Sequence, residues 1–281
     1  MIIVTAATGK LGSAVVERLI DRVGAQEVGV AVRNPAAAAG LAERGVRVRR
    51  ADYADRASLI DAFEGARRVL LVSARGNGPD TVELHRRAID AARGAGVEHL
   101  VYTSHMASRA DSLFSPMRDH HATEAALDAS GLSYTSLRNG FYASTVPILL
   151  TGAMATGELR TPVDGPVSWT THADLADAAA VALTTGLGTG ATPPLTGGEA
   201  LDMAAVADVA SRATGKTIRH TVVSPEEFRS GLLDAGVHAF LAGMLVEMFA
   251  AAHAGEFAAV HPALAEALGR APQTLQDELA G

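Results

Sequence analysis

Apolar residues along this chain recur at two alternating spacings, and the alternation predicts the order of its secondary structure. Helical spacing follows the first apolar run, where Leu11, Val15 and Leu19 lie one turn apart. Strands and helices that alternate in this way are typical of an α/β protein with a doubly wound parallel sheet. Short runs rich in Val, Ile and Leu predict its strands over residues 2–4, 27–32, 46–49, 69–73, 99–103 and 132–137.

A glycine-rich turn joins the first strand to the first helix, in the order that a dinucleotide site requires. The free amides and positive dipole of a helix N-terminus attract a pyrophosphate, and an ordinary turn without a ligand is the alternative. Gly9 lets a phosphate approach the backbone, and Gly12 lets the helix pack close to the strand. Ala6 stands where such patterns carry their first glycine, so we expect it to keep a negative φ. The predicted cofactor contacts here are Thr5, Ala6, Ala7, Thr8, Gly9, Lys10, Leu11 and Gly12.

The alternation weakens beyond residue 150, which predicts two parts in the chain. We expect residues 1–150 to form a Rossmann-type dinucleotide-binding core, which residues 165–186 rejoin. Residues 187–281 begin with Gly/Pro-rich links and are mostly helical, so we expect a smaller C-terminal substrate lobe over the carboxyl edge of the sheet. Trp169 is expected in the core rather than in a substrate platform.

Composition and charge exclude several classes of protein and several kinds of functional site. A hydrophobic share of 48% permits a full core, and a net charge of -7 without a basic run argues against nucleic-acid binding. The absence of cysteine excludes disulfides, thiolate metal sites and cysteine nucleophiles. No apolar run is long enough to span a membrane, and no basic segment of a signal peptide precedes the first strand. We therefore expect a cytoplasmic protein with no membrane partner.

The residues that follow the second and third strands suggest which dinucleotide fits. An acidic residue after the second strand would bind the ribose 2′-OH of NAD, whereas this chain has Arg33, followed by Asn34. Arginine suits a 2′-phosphate, so we predict NADP(H) in preference to NAD(H), with a solvated strand-end arginine as the alternative. Asp52 and Tyr53 follow the third strand, near the expected adenine, although an Asx turn explains Asp52 nearly as well.

Three further positions at strand ends are expected to contact the cofactor. Ser73 ends the fourth strand, and Thr103 and Ser104 end the fifth, where hydroxyl groups reach a ribose or simply cap the strand. The glycine-rich segment 75–79 is predicted to be a flexible loop at the same edge of the sheet.

The usual proton donor of short-chain dehydrogenases is missing from this chain. Those enzymes use a tyrosine with a lysine four residues later. The lysines here are Lys10 and Lys216, and neither follows a tyrosine at that spacing. A Tyr-x-x-x-Lys dyad is therefore excluded.

Together, five segments resemble the NmrA-like atypical short-chain dehydrogenases. Among these, the chain is most similar to the NADPH-dependent quinone oxidoreductases and the related triphenylmethane reductases. The resemblance covers nearly the whole chain, with Ala6 and a divergent C-terminal region as its departures. It rests on Thr5–Gly12, Val32–Pro35, Ala51–Tyr53, Tyr102–Ser104 and Leu137–Tyr142.

The resemblance implies hydride transfer from NADPH to a small conjugated acceptor in a cleft between core and lobe. His120 would stand where many relatives carry a lysine near the nicotinamide ribose, and a histidine there can donate a hydrogen bond or a proton. The alternative is a helix-end pair, His120 and His121, without a role. Asn139 and Gly140 would line the nicotinamide side, with Phe141 and Tyr142 as aromatic walls, so His120 and Tyr142 are the catalytic candidates.

Three functions remain open from the sequence. The first is an NADPH-dependent reductase of a quinone or similar electron-poor acceptor, since hydride addition to a quinone needs little more than proximity to the nicotinamide. The second is a non-catalytic NADP-sensing regulator, and the third is a carbonyl or imine reductase of secondary metabolism. No metal is expected, because His105, His120 and His121 lack acidic partners at ligand spacing. A monomer and a homodimer are equally open.

Overall fold

A parallel sheet forms the centre of the computed structural model, which describes residues 1–280 apart from Arg75 and Asn77. The predicted loop 75–79 thus lies partly outside the described residues. Among those described, seven parallel strands pair in the order β10-β6-β5-β4-β1-β2-β3. Two further pairs, β11 with β8 and β7 with β9, lie outside this sheet. The strands are β1 Ile2–Thr5, β2 Val28–Val32, β3 Arg47–Arg50, β4 Arg68–Leu71, β5 His99–His105, β6 Tyr134–Asn139, β7 Phe141–Tyr142, β8 Glu158–Thr161, β9 Trp169–Thr170, β10 Gly190–Ala191 and β11 Arg219–Val222.

Helices cover both faces of the sheet. They are α1 Lys10–Val23, α2 Ala39–Glu43, α3 Arg56–Phe63, α4 Pro79–Gly94, α5 Ser115–Ser130, α6 Val146–Leu150, α7 Ala153–Thr156, α8 His172–Thr184, α9 Met203–Thr214, α10 Pro225–Asp234, α11 Ala239–His253, α12 Ala263–Leu268 and α13 Leu275–Ala280. None of the helices in the described part of the chain has the length and apolar character needed to cross a membrane.

Two apolar layers hold the sheet between its helices. Val4, Leu70 and Val101 point toward α1 and α8, while their strand neighbours Ile3 and Leu100 point toward α3 and α4. Successive strand residues face opposite sides, so strands covered on both faces must be apolar throughout, as the sequence is. The predicted doubly wound sheet is confirmed.

Several element boundaries differ from those expected. Strand β5 continues through His105, two residues beyond the predicted end at residue 103, and α5 starts at Ser115. This extension matters because Ser104 and His105 pair in register with Arg138 and Asn139 of β6. The short strands β7, β8 and β10 were not predicted, since strands of two to four residues carry little periodic signal.

The C-terminal half contributes to more than one part of the molecule. Helices α9 and α11 pack with Trp169 in an apolar cluster of their own, and the expected core position of Trp169, which is 3% exposed, is confirmed. Meanwhile β10 pairs with β6, and Leu264 of α12 packs with the layer beneath α8. The division into a 1–150 core with 165–186 and a 187–281 lobe stays a prediction.

The strand order places a topological switch point at β1. From β1 the chain winds outward to β2 and β3, then crosses back to β4, β5 and β6 on the other side. In such sheets, ligands bind in the crevice at the carboxyl ends of the strands beside the switch point.

Candidate cofactor and acceptor site

The turn between β1 and α1 presents an uncapped helix N-terminus at this crevice. Gly9 precedes the helix and offers no side chain to cap it, so the first-turn amides depend on another acceptor. The amide of Gly9 itself donates to the carbonyl of Ala6 at 2.9 Å, which closes the turn. An added Cβ at Gly12 would lie 2.4 Å from the Ala6 carbonyl oxygen, so only glycine allows this helix to approach β1. The geometry suits a pyrophosphate.

The expectation for Ala6 was wrong. Its φ is +48°, in the left-handed region, where the structure describes no other residue besides glycine with a positive φ. The turn needs that backbone angle to bring the Ala6 carbonyl over both Gly9 and Gly12. Alanine therefore occupies a glycine position at a cost of about 1–2 kcal/mol.

The other residues of the turn differ in how far their side chains are exposed to solvent. Ala7 and Leu11 are buried, so only their backbone atoms can face a ligand, whereas Thr8 is exposed. Lys10 is exposed and forms an ion pair with Glu278 at 3.4 Å.

At the end of β2, Arg33 is exposed, and among the described residues no hydrogen bond or ion pair engages its guanidinium. Asn34 is different, because its Oδ1 accepts from the amide of Ala36 and caps the following turn. Likewise Asp52 accepts from the amide of Ala54, in the Asx turn that was the alternative explanation. Of these three side chains, only Arg33 is available for a charged ligand.

The hydroxyl groups at the ends of β1 and β5, and that of Tyr53 after β3, are bonded to the protein itself. The Tyr53 hydroxyl lies 2.6 Å from Thr5 Oγ1 and donates to the carbonyl of Val72 at 2.7 Å. Thr103 Oγ1 accepts from the amide of Ser73 at 2.8 Å, and Ser104 donates to Glu124. These bonds connect the ends of β1, β4 and β5 with Tyr53 and with α5 at the crevice, and the cofactor contacts of these residues stay predictions.

The segment after β6 closes the other end of the crevice. An added Cβ at Gly140 would lie 2.2 Å from Thr170 Oγ1, so glycine is required there. Asn139 is 1% exposed, and its Oδ1 has no hydrogen-bond partner in the described part of the chain. The Tyr142 ring packs on His172, with 4.4 Å between ring centroids, and burial raises the pKa of the Tyr142 hydroxyl despite the opposing contact with Asn139.

His120 lies on α5 with its imidazole against the end of β5. Its Nδ1 is 2.8 Å from the hydroxyl of Tyr102, which is fully buried. Burial lowers the pKa of His120 to about 4, against the attraction of Glu124, so the ring is neutral at physiological pH. A phenol is the stronger donor of the two, and we assign its proton to the bond with Nδ1. The second ring nitrogen, Nε2, then carries the hydrogen of His120.

A model of the NmrA-like family matches residues 1–277. The chain belongs to the NmrA-like family.

Two relatives that match over nearly their whole length are an oxidoreductase and a reductase. Quinone oxidoreductase 2 of Escherichia coli is 34% identical over 281 residues, which is 99% of this chain and 97% of that protein. An NAD(P)H azoreductase of Xenophilus azovorans is 29% identical, over 99% of this chain and 96% of its own.

Two solved structures share both fold and length with this NmrA-like chain. The Escherichia coli quinone oxidoreductase in complex with NADPH has a TM-score of 0.94 at 33% identity, covering 100% of this chain and 99% of that one. The Citrobacter triphenylmethane reductase in complex with NADP(H) has a TM-score of 0.93 at 32% identity, with the same coverage. The resemblance stated from the sequence is confirmed.

Sequence reasoning missed a buried carboxylate at the end of the crevice that is formed by β5, α5 and the segment after β6. Glu124 accepts from Ser104 and Ser136 and forms a two-pronged ion pair with Arg138. Burial opposes its ionisation, but the Arg138 guanidinium and the Ser104 hydroxyl outweigh that effect and lower the pKa of Glu124. The available signal was spacing: Glu124 is one helical turn after His120, and Ser136 and Arg138 share one face of β6.

Other residues at this end were also missed. His105 was considered only as a metal ligand and Tyr102 only as a possible member of a Tyr-Lys dyad and of a family motif, whereas His172 and Phe257 were not considered. The structure places no cluster of three or more metal-ligating side chains within its described residues. His105 instead packs edge-on against Phe257, and His172 carries a pKa lowered to about 4 by burial and by the charge of Lys10.

Proposed function

We propose that this protein is an NADPH-dependent oxidoreductase that passes a hydride to a quinone or a similar small conjugated acceptor. The proposal rests on the uncapped glycine turn at the switch point and on Arg33 at the end of the adjacent strand, whose guanidinium has no partner among the described residues. The reductase relatives support the same reaction class, since quinone, azo and triphenylmethane compounds are all conjugated electron acceptors.

The cofactor-binding roles follow from position. The amides from Lys10 to Gly12 would hold the pyrophosphate, and Arg33 would hold the 2′-phosphate by a two-pronged contact. Asn139, whose Oδ1 has no partner within the described part of the chain, would meet the nicotinamide side. When bound, the reduced nicotinamide supplies the hydride.

The protein's own chemistry would be modest. His120 would orient the acceptor through its Nε2 hydrogen, and Tyr142 would wall the pocket, since its ring is packed on His172. Proton uptake can be completed by water, so the missing Tyr-Lys dyad is no obstacle to this reaction.

The first test is NADPH oxidation by the purified protein with benzoquinones, naphthoquinones and simple ketones, and with NADH in parallel. We expect saturable oxidation with quinones and a preference for NADPH. Activity on ketones alone would favour the carbonyl reductase. Tight binding of NADPH without oxidation of any acceptor would favour a cofactor-sensing regulator, and would overturn the proposal.

The role of His120 is tested by His120→Ala. We expect turnover to fall by about tenfold or more, the value of one hydrogen bond to a charged group, while the Kd for NADPH changes little. The neighbouring variant His121→Ala is the matched control, because His121 is exposed on the same turn. Full activity of His120→Ala would remove His120 from the reaction.

A further inference from the structure

Two imidazole rings lie side by side where β5 ends. His105 is the last residue of β5 and His120 belongs to α5, yet their ring centroids are 6.3 Å apart and their planes differ by only 26°. Of these two histidines, His120 was a catalytic candidate, and His105 has no role in the function proposed above.

Both rings are held in the same tautomer. The amide of Ala107 donates to His105 Nδ1 at 3.3 Å, and Tyr102 donates to His120 Nδ1 at 2.8 Å. A neutral imidazole that accepts at Nδ1 carries its hydrogen at Nε2. Burial lowers the pKa of His105 well below its usual range, with a contribution from His120, so both rings are neutral donors.

Both Nε2 groups are available. No hydrogen bond to either nitrogen occurs within the described residues, and neither nitrogen is among the buried polar atoms that lack a partner. His105 is 8% exposed, so the small accessible part of its side chain includes this nitrogen.

Aromatic edges and a balanced charge surround the pair. Phe141 and Phe257 meet the His105 ring edge-on, at centroid distances of 5.4 and 5.7 Å. The nearby carboxylate of Glu124 is neutralised by Arg138 at 2.8 Å. The site therefore offers two fixed N–H donors and an apolar wall, which suits an oxygen that gains negative charge.

We propose that His105 and His120 form a two-donor site for the oxygen of the acceptor, and that this site selects acceptors whose reduced form is a phenolate. The inference rests on the proposed function. Addition of a hydride to a quinone reduces it by two electrons and oxidises NADPH, which leaves one oxygen of the hydroquinone anionic. A proton from water then neutralises that oxygen. Donors fixed in advance bind the anion more strongly than the carbonyl, so they favour the reduction.

The test measures binding of 4-nitrophenol to the protein in the presence of NADP⁺, without turnover. Only the anion of this probe is yellow, so absorbance reports both the Kd and the fraction ionised. We expect the protein to bind the anion in preference to the neutral phenol. The variant His105→Leu should weaken binding of the anion by about tenfold or more and leave binding of the neutral phenol nearly unchanged.

Two polar variants guard against a general packing defect. A glutamine amide nitrogen reaches about as far as Nε2, whereas an asparagine reaches only as far as Nδ1. His105→Gln should therefore retain most of the affinity for the anion, while His105→Asn should lose it. Equal affinities in the wild type and all three variants would overturn the two-donor site, as would equal loss in the Gln and Asn variants.

The outcome is separable from the proposed function. If the protein oxidises NADPH with quinones but the His105 variants bind 4-nitrophenolate as the wild type does, the proposed reductase function stands and the two-donor site is rejected. Absence of NADPH oxidation would instead remove the reductase and the phenolate selection that rests on it.

Discussion

The two ends of the crevice are built in different ways. One end is formed by the β1–α1 turn, and we call it the phosphate end. Backbone groups form this end: the amides at the start of a helix, the carbonyl of Ala6, and glycines that allow close approach. At the end formed by β5, α5 and the segment after β6, the acceptor end, side chains from distant parts of the chain meet. His105, His120 and Phe257 are held there by packing and by buried hydrogen bonds.

Because the two ends are built differently, different changes should abolish ligand binding at each of them. A backbone site tolerates most side-chain changes and is lost only when an added atom blocks the turn. A side-chain site depends on the protonation of its imidazoles and on the packing that places them. The two ends should therefore respond to different perturbations.

The largest effect is expected at the phosphate end from Gly12→Ala. The new Cβ would lie 2.4 Å from the Ala6 oxygen and 3.0 Å from the Ala7 Cα, both backbone atoms that cannot move aside. We expect the free energy of unfolding to fall by about 3 kcal/mol and NADPH binding to be lost. Urea denaturation and cofactor titration measure these. Gly40→Ala in α2, where an added Cβ meets nothing within 4 Å, is the control and should be neutral or stabilising. Unchanged NADPH affinity would show that the close approach is dispensable.

Acid should destabilise the protein beside the acceptor end, where His85 of α4 packs against Tyr102 of β5. His85 is 1% exposed, its Nε2 accepts from the amide of Ala74, and burial lowers its pKa to about 3 from a usual 6.5. Between these values the unfolded chain binds the extra proton and the folded one does not, so stability falls as the pH falls from about 6.5 toward 3. For His85 alone the loss is about 2–3 kcal/mol by about pH 4.5.

The measurement is urea denaturation across this pH range. The His85→Gln variant cannot take up the proton, so its stability should fall less steeply with pH, whatever its absolute value. Equal slopes for the two proteins would show that His85 titrates normally in the folded state.

The variant Arg33→Asp tests whether a side chain makes the phosphate end specific for NADPH over NADH. Loss of a two-pronged phosphate contact, together with the new negative charge, should shift the ratio of NADPH to NADH affinity by about 10- to 100-fold toward NADH. Titration with both cofactors measures the ratio. Arg22→Asp, in the exposed last turn of α1, is the control. An unchanged ratio for Arg33→Asp would remove Arg33 from the site.

The smallest effect is expected from Ala6→Gly. Glycine removes the cost of φ +48°, about 1–2 kcal/mol, but adds about 0.5–1 kcal/mol of chain entropy to the unfolded state. We expect a net gain of about 0.5 kcal/mol in the free energy of unfolding. Ala7→Gly in the same turn is the control. Ala7 is buried, so this change should lower the free energy of unfolding. A lower free energy of unfolding for Ala6→Gly would contradict the claim that the positive φ of Ala6 strains the backbone.

Local sequence determined the sheet, its helices and the phosphate end, because each depends on neighbours a few residues apart. Apolar runs such as Val28–Val32 and the spacing of Gly9 and Gly12 carry that information directly. The backbone angle of Ala6 could not be predicted, since alanine gives no sign of a positive φ. Only the carbonyl's contacts with Gly9 and Gly12 explain it.

Tertiary structure alone decided the acceptor end. Glu124 and Arg138, His105 and Phe257, or His85 and the hydroxyl of Thr123 become partners only after α5 and the C-terminal segments dock on the sheet. Which imidazole nitrogen carries hydrogen depends in turn on those partners, because a neutral ring has one donor and one acceptor and the protein supplies the matching group. A pattern of residue types contains no such information, whereas the packed structure does.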